Sequence, residues 1–579
     1  MKKLSESLVY TPVQPGFGTS GVRALVEDLT DLEVYCLTLG TLRYFENNDL
    51  LTIAGKSKDT IRIPVACDLR PSSPRLTRAT VRAIQECGYQ AEYLGMLPTP
   101  ALTCYALKQG VASFMVTGSH IPLDRNGQKA NRCYGEVMKS DEQGIVSEVN
   151  KVRDMILNGA ADQSLFDQHG MFKADQTQSL PETSDAAEQH YLQRYASVFP
   201  ADALADLRIV FFEYSAVGRD LLPKILSNAG AEVICMGRSD EFFPIDTEAL
   251  SDQHLDELFQ IVLEARAKHG KIDALISTDG DSDRPLVIAV EETTNASILP
   301  RFISGDLLGL MVTDYLGVDS ISVPISSNPA IQEYFASKKI PVQSTRIGSP
   351  YVIEAMQQSH AKGNSHIVAW EANGGYLTGS DLSINSGVIE ALPTRDAMLP
   401  ILCVLHASVQ KQQSLSQMLD ALPAWYGKAD LLDKFPRQTS LAMIEQLTPA
   451  HDSTICVVQF ESEQVILRDA DNQVIAQYSV DSDEASSMVK AKGVLETVFS
   501  EQHGFGLLTQ INCLDGLRCY FDNNEIAHIR PSGNAPQLRI YAYARTQNRA
   551  NDIVSLGIVS LGIEEPAGLL RQLAEIVIK

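Results

Sequence analysis

Three times along this chain an apolar, β-branched run leads through a loop into a helical segment and then into a second strand. The first unit pairs a strand over 63–67 with a helix over 76–86 and a strand over 91–94. The second has a strand over 207–212, a helix over 219–228 and a strand over 232–235. The third has a strand over 320–325, a helix over 329–337 and a strand over 342–345. In the first two a glycine, Gly88 or Gly230, separates helix from second strand. Such units favour right-handed crossovers and mostly parallel pairing, and they predict an α/β protein. Each is far enough from the next to seed its own domain. Beyond residue 425 the texture changes to short β-rich runs, at 455–460, 465–467 and 474–476, with a closing helix over 567–578. That pattern predicts a smaller α+β domain with a β-rich insertion.

Composition narrows the function. The chain has 579 residues, 44% hydrophobic and 21% charged, which suits a globular protein with sizeable cores. No run approaches the roughly 18 apolar residues of a membrane span. Two lysines near the N-terminus are not followed by an apolar stretch of signal-peptide length, so a cytoplasmic location is expected. Ten cysteines are scattered without zinc spacing, and they read as reduced thiols. The net charge of −24 opposes nucleic acid and anionic membrane surfaces as partners. It would also repel a phosphorylated metabolite, so any phosphate site must be built locally from Arg, Lys and backbone N–H groups.

Four segments carry the chemistry. Val116-Thr117-Gly118-Ser119-His120-Ile121-Pro122 follows an apolar run and is itself followed by Arg125 and Lys129. It reads as a built loop on a sheet, with Gly118 allowing an unusual backbone and Ser119 as the reactive group. Asp279-Gly280-Asp281-Ser282-Asp283-Arg284 follows an apolar strand over 274–277. Carboxylates at i, i+2 and i+4 can converge on one hard cation, and three with few other ligands suit Mg²⁺. An EF-hand is excluded, because its glycine and glutamate positions hold Arg284 and Val290. A solvated acidic turn is the plainer alternative. Arg530-Pro531-Ser532-Gly533-Asn534 lies between two predicted strands and reads equally as an anion cradle or a turn. Trp370-Glu371-Ala372-Asn373-Gly374-Gly375 offers a carboxylate and an amide to sugar hydroxyls, and alone it cannot be told from a turn.

In this order and spacing the four segments resemble the α-D-phosphohexomutase family, and the resemblance covers nearly the whole chain. Further matches are Phe17-Gly18-Thr19-Ser20-Gly21-Val22-Arg23, Asp68-Leu69-Arg70-Pro71-Ser72-Ser73-Pro74, Pro98-Thr99-Pro100, Gly305-Asp306 and Asp515-Gly516-Leu517-Arg518. The resemblance implies three related α/β domains with mixed, mostly parallel sheets and a smaller C-terminal α+β domain, arranged around a central cleft. The expected divisions are 1–160 with the phosphoserine loop, 161–302 with the metal loop, 303–425 for sugar recognition and 426–579 for phosphate binding. It implies that Ser119 carries a phosphoryl group, and that this group and Asp279, Asp281 and Asp283 hold Mg²⁺. Lys129, Arg284, His120 and Arg23 would line the same site, with Lys129 a candidate proton acceptor. Arg346, Glu371, Asn373, Arg530, Ser532, Gly533 and Asn534 would contact the substrate.

The implied reaction moves a phosphoryl group between the 1- and 6-positions of a hexose phosphate, through a hexose 1,6-bisphosphate. Small-molecule hexose phosphates are the expected partners. The leading substrates are mannose and glucose phosphates. The runner-up is glucosamine or N-acetylglucosamine phosphate: the sugar loop departs from Glu-x-Ser-Gly-His, its histidine is absent, and its Glu371-Ala372-Asn373-Gly374 string resembles that of phosphoacetylglucosamine mutases. Ile121 replaces an asparagine of the usual serine loop, and the phosphate loop has Asn534 and Ala535 where Thr and Glu are frequent. Extra length relative to bacterial members is placed at 426–510. A non-catalytic sugar-phosphate sensor is disfavoured by the intact serine, aspartates, Arg284 and Lys129. A serine hydrolase is disfavoured by the lack of Gly-x-Ser-x-Gly.

Overall fold

In the computed structural model each of the three units continues in the same way, as strand, helix, strand, helix and then a hairpin. The model describes all residues except 1, 14–15, 19–20, 54–56, 249, 293–297, 450–453, 471, 532–536, 559–567 and 579. In the first repeat the order is Arg62–Cys67, Ser73–Glu86, Gln90–Met96, Thr99–Gln109, and the hairpin strands Ser113–Val116 and Arg125–Arg132. In the second it is Arg208–Phe212, Leu222–Asn228, Glu232–Met236, Asp252–His269, Ala274–Thr278 and Pro285–Glu292. In the third it is Ser320–Pro324, Ala330–Ser337, Val342–Thr345, Ser349–Ala361, Ile367–Trp370 and Tyr376–Thr378. The predicted second helix is shorter than its sequence suggested, because a 3-10 turn, Val217–Asp220, precedes Pro223.

The sheets are mixed. Arg62–Cys67 pairs in parallel with Gln90–Met96 on one side and Ser113–Val116 on the other. Arg208–Phe212 does the same with Glu232–Met236 and Ala274–Thr278. Antiparallel strands complete both sheets. The expected parallel pairing therefore describes the three-strand core of each sheet and not the whole of it. The reason is the hairpin, whose short connection can only return antiparallel.

Helix Ser73–Glu86 shows why these segments form. Pro74 fits the first turn, where its missing N–H costs nothing. Leu76, Ala79, Thr80, Ala83 and Ile84 then fall on one buried stripe at helical spacing. Helix Thr99–Gln109 begins in the same way at Pro100 and ends at Gly110, whose φ of 65° is the left-handed cap glycine adopts easily.

The chain forms two compact units. The first comprises Met1–Asp319 and Met356–Leu419, and the second comprises Ser320–Ala355 and Asp420–Lys579. The second unit contains an eight-stranded antiparallel sheet. The β-rich run anticipated within 426–510 is continuous with it. Its strands Val457–Phe460, Gln464–Arg468 and Val474–Ser479 extend that sheet at one edge. Helices Arg437–Leu447, Asp483–Val498, Gln547–Ile558 and Leu569–Ile578 add their apolar residues to its core. No helix among the described residues is long and apolar enough to cross a membrane, and all ten cysteines are free thiols.

Candidate active site

The hairpin loop at the carboxyl end of each α/β core carries one of the functional segments. Residues 117–124 join Ser113–Val116 to Arg125–Arg132, residues 279–284 join Ala274–Thr278 to Pro285–Glu292, and residues 371–375 join Ile367–Trp370 to Tyr376–Thr378. Ligand sites of α/β sheets lie outside the carboxyl ends of their strands. All three loops belong to the first compact unit.

Ser119 is buried, with φ of 51°. A non-glycine residue in this region carries backbone strain that its surroundings must hold. The brace is Arg70. Its guanidinium donates to the carbonyl oxygens of Pro122 (2.8 Å), Arg125 (2.8 Å), Ser119 (3.0 Å) and Ile121. It also lies 4.4 Å from the Phe242 ring centroid. Asp68 completes the support by accepting from Thr117 Oγ1 (2.7 Å), Ser73 Oγ (2.5 Å) and the Gly118 amide (3.2 Å). The requirement for Gly118 is thus not an unusual backbone of its own. A Cβ there would lie 2.6 Å from Arg70 Cζ and Nε, so glycine is needed for the close approach of the brace. Gly280 is needed for a similar reason, since its Cβ would lie 2.7 Å from the Ser119 carbonyl oxygen.

So placed, Ser119 Oγ donates to Asp279 Oδ2 at 2.6 Å. Asp279 Oδ1 accepts from the amides of Asp283 and Arg284, both at 3.1 Å, which closes the acidic loop on itself. Asp279, Asp281 and Asp283 are all buried, and one ligand oxygen from each lies within 4.8 Å of the others. The loop is therefore not a solvated acidic turn. Lys129 Nζ bridges Asp281 (2.7 Å) and Asp283 (2.6 Å), and Thr99 Oγ1 donates to Asp281 at 2.5 Å. Arg284 approaches Asp283 at 3.7 Å and Asp279 at 3.9 Å.

The donor set fits a divalent cation. Asp281 Oδ1 and Asp283 Oδ1 are buried without a hydrogen-bond partner, a costly state that a cation at these oxygens relieves. Burial and the neighbouring Asp283 and Asp281 push Asp279 well above the ordinary carboxylate range. Burial acts the same way on Asp281, but Lys129 and Thr99 outweigh it and hold that carboxyl low.

Besides Arg284, four basic residues face this cluster. Burial lowers Lys129, yet Asp281 and Asp283 raise it by more, so in this arrangement its ammonium stays charged between the two carboxylates. Burial and then Arg284 bring Arg23 down to about 10. Burial, followed by Arg284, Arg23 and Lys129, holds His120 well below its ordinary value, as a neutral imidazole whose Nδ1 is 3.3 Å from Ser119 Oγ. The fourth is Arg395, which sequence reading did not single out. Its Nε donates to the Glu371 carboxylate, and its charge acts on Arg23, His120, Lys129 and Arg284.

The 371–375 loop abuts the 279–284 loop. A Cβ on Gly374 would lie 2.9 Å from Pro285, the residue after Arg284. Thr247 Oγ1 donates to the Asn373 carbonyl at 2.8 Å, and Asn373 Oδ1 accepts from the Gly375 amide at 2.9 Å. Trp370 and Tyr376 stack at the hairpin base, 5.9 Å apart and 8° from parallel.

Arg346 and Arg530 belong to the second unit, where Asp515 joins them. Asp515 Oδ1 accepts from Arg530 Nε at 2.9 Å, Asp515 Oδ2 accepts from the Ile347 amide at 2.9 Å, and Arg346 Nε reaches the Leu514 carbonyl at 3.3 Å. Ser532, Gly533 and Asn534 lie outside the described residues.

Sequence comparison agrees with this construction. The phosphoglucomutase/phosphomannomutase alpha/beta/alpha domains I, II and III match residues 14–155, 189–292 and 304–426. The chain is 36% identical to a phosphomannomutase of Salmonella muenchen over 538 residues, 93% of this chain and 94% of that one. It is 32% identical to a phosphomannomutase of Sinorhizobium fredii over 547 residues, 94% and 98% of the two chains. A phosphoglucomutase/phosphomannomutase family protein from Burkholderia thailandensis shares the fold, with a TM-score of 0.61, 15% identity and 97% of each chain covered. The chain belongs to the α-D-phosphohexomutase family. It is a phosphohexomutase, an isomerase acting on hexose phosphates.

Proposed function

We propose that this enzyme interconverts the 1- and 6-phosphates of mannose or glucose through a phosphorylated Ser119. The observation that carries the reading is the Ser119 hydroxyl held 2.6 Å from Asp279, at the edge of a buried three-carboxylate cluster ringed by basic side chains. In the forward half-reaction the free hydroxyl of the sugar phosphate attacks the phosphoryl group on Ser119. The Oγ–P bond breaks, a sugar O–P bond forms, and the hydroxyl proton passes to a base, leaving a hexose 1,6-bisphosphate. After reorientation the bisphosphate returns its other phosphoryl group to Ser119. Phosphoryl transfer of this kind needs positioning and charge neutralisation above all.

Asp279, Asp281, Asp283 and the Ser119 phosphate would hold Mg²⁺, which when bound neutralises charge on the transferring group. Arg284, Lys129 and Arg23 supply further positive charge around Ser119. To serve as the proton acceptor, Lys129 would first have to give up its pairs with Asp281 and Asp283. Glu371 and Asn373 read the sugar hydroxyls. Arg530, Ser532, Gly533 and Asn534 would grip the phosphate that is not being transferred, and Arg346 would make a further contact with the substrate. The proposed division of labour follows segments 1–160, 161–302, 303–425 and 426–579.

Intact-mass analysis tests the reading. One phosphate is expected on Ser119 after incubation with glucose 1,6-bisphosphate and Mg²⁺. Full mutase turnover with no phosphate ever found on Ser119 would refute it. Comparison of kcat/KM for mannose 1-phosphate and glucose 1-phosphate then assigns the preferred sugar.

A further inference from the structure

Arg395 sits in strand Leu392–Asp396 with its side chain 2% exposed and its Nε on the Glu371 carboxylate. Its aliphatic stem lies directly on the backbone of Gly375. A Cβ at 375 would come within 2.5 Å of Arg395 Cδ, 2.7 Å of Cγ and 2.9 Å of Cβ. The second glycine of the sugar loop is therefore the counterpart of this arginine, and a larger residue there would push the guanidinium off Glu371.

The neighbours of Arg395 pin it from both sides. Thr394 Oγ1 donates to Glu136 at 2.7 Å. Asp396 accepts from Tyr191 (2.6 Å), from Tyr195 and from the Met398 amide (2.9 Å). The guanidinium thus has little freedom to swing away, and the Glu371 carboxylate is held as half of a buried ion pair.

That pairing has a consequence for recognition. A lone buried carboxylate attracts an ammonium strongly, whereas one already neutralised by a guanidinium offers only acceptor lone pairs.

We propose that Arg395 is a positioning residue that sets sugar specificity through Glu371, admitting hexose phosphates that are neutral at C2 and rejecting those with a 2-ammonium group. The proposal rests on the mutase reading above and on Glu371 as its sugar-reading carboxylate. It works by removing an attraction for the wrong substrate as much as by binding the right one.

The test compares kcat/KM for mannose, glucose, glucosamine and N-acetylglucosamine 1-phosphates in the wild type and in Arg395→Met, Arg395→Lys and Glu371→Gln. The wild type is expected to favour the better neutral hexose over glucosamine 1-phosphate by at least about 100-fold. Arg395→Met, which frees the Glu371 charge, is expected to narrow that ratio by about 10-fold or more, the scale of one partly buried charge interaction. Arg395→Lys keeps the cation and is expected to hold the ratio within about 3-fold of wild type. Glu371→Gln leaves the arginine uncompensated and is expected to widen the ratio, which keeps the test decisive if Arg395→Met fails to fold. N-acetylglucosamine 1-phosphate, neutral at C2, is not expected to gain in Arg395→Met.

A ratio unmoved by Arg395→Met, or an equal gain for the acetylated sugar, overturns the proposal by reducing the effect to structure or size. A wild type that prefers glucosamine 1-phosphate overturns it while leaving the mutase reading intact. A wild type that turns over none of the four sugars removes the mutase reading itself.

Discussion

The loop bearing Ser119 and the loop bearing the three aspartates occupy the same place in successive repeats, yet they are held by opposite means. The aspartate loop is short and closes on itself, because Asp279 accepts the amides of Asp283 and Arg284. The serine loop's internal bonds, from the Ser119 amide to Thr117 Oγ1 (2.7 Å) and from the Ile121 amide to the Gly118 carbonyl (3.1 Å), each span only part of it. Its carbonyl oxygens converge on Arg70, which is 49 residues earlier than Ser119. If the aspartate loop presents its carboxylates to one ion, as proposed, it gains from the local rigidity that these backbone bonds add. A loop that holds one serine in a left-handed conformation needs an external brace. The buried Arg70 is that brace, and Asp68 and the Phe242 ring keep it in place.

The sharpest way to test the contrast is to remove the nucleophile and leave both supports. Ser119→Ala is expected to lower kcat by at least about 10⁴-fold with little change in Tm, since the methyl group fills the same site. Substantial turnover in that variant would remove the basis of the comparison.

Next in size is Asp279→Asn, which weakens the self-closed loop and its charge together. A fall in kcat of about 10²–10³-fold is expected, along with loss of the thermal stabilisation that Mg²⁺ gives the wild type. Differential scanning fluorimetry across a Mg²⁺ titration checks it. An undiminished Mg²⁺ response would show that Asp279 is not part of the metal set.

Arg70→Met strikes the other loop alone. It strips the brace from four carbonyl oxygens and leaves Asp68 a buried unpaired charge, at a cost of about 3–5 kcal/mol in urea unfolding. Displacement of Ser119 should lower kcat by about 10–100-fold, while the Mg²⁺-induced rise in Tm persists. Loss of that rise would break the comparison, by showing that the aspartate loop depends on the same distant arginine.

The smallest effect concerns a third support, in the second unit. His528 Nε2 donates to the Asp515 carbonyl at 2.7 Å, and the Asp515 carboxylate holds Arg530 and the Ile347 amide. Burial, then the charge of Arg518, hold His528 down to about 3. Folded, it therefore stays neutral at pH values where the unfolded chain, titrating near 6.5, takes up a proton. Its stabilising contribution is complete above about pH 6.5 and falls away as the pH drops towards 3, by about 2 kcal/mol at pH 5. Denaturant unfolding at pH 7.5 and pH 5 should show His528→Gln losing less stability than wild type over that interval. Equal losses would remove His528 from the account.

The two loops were unequally legible in the sequence. The aspartate loop could be read almost completely, because its ligands, its turn and its closing amides all lie within six residues. Ser119 could be found too, but its support could not, since Arg70 and Asp68 act across the sheet. Gly118 illustrates the difference. Its glycine character was visible, while the reason for it, the guanidinium against its Cα, is a tertiary contact. Lys129 shows a second kind of gap. Its place in the site was anticipated, but its protonation state depends on Asp281 and Asp283, which are more than 150 residues away.

By itself, the sequence determined the repeated α/β units, the loops at their carboxyl ends and which polar groups those loops carry. These follow from apolar periodicity, turn residues and ligand spacing, all of which act over a few residues. The tertiary structure alone decided that Arg70 braces the serine, that Lys129 sits between two carboxylates and that Arg395 neutralises Glu371. Each of these depends on where buried charges meet, because in a low-dielectric interior a charge's role is set by its partners in space.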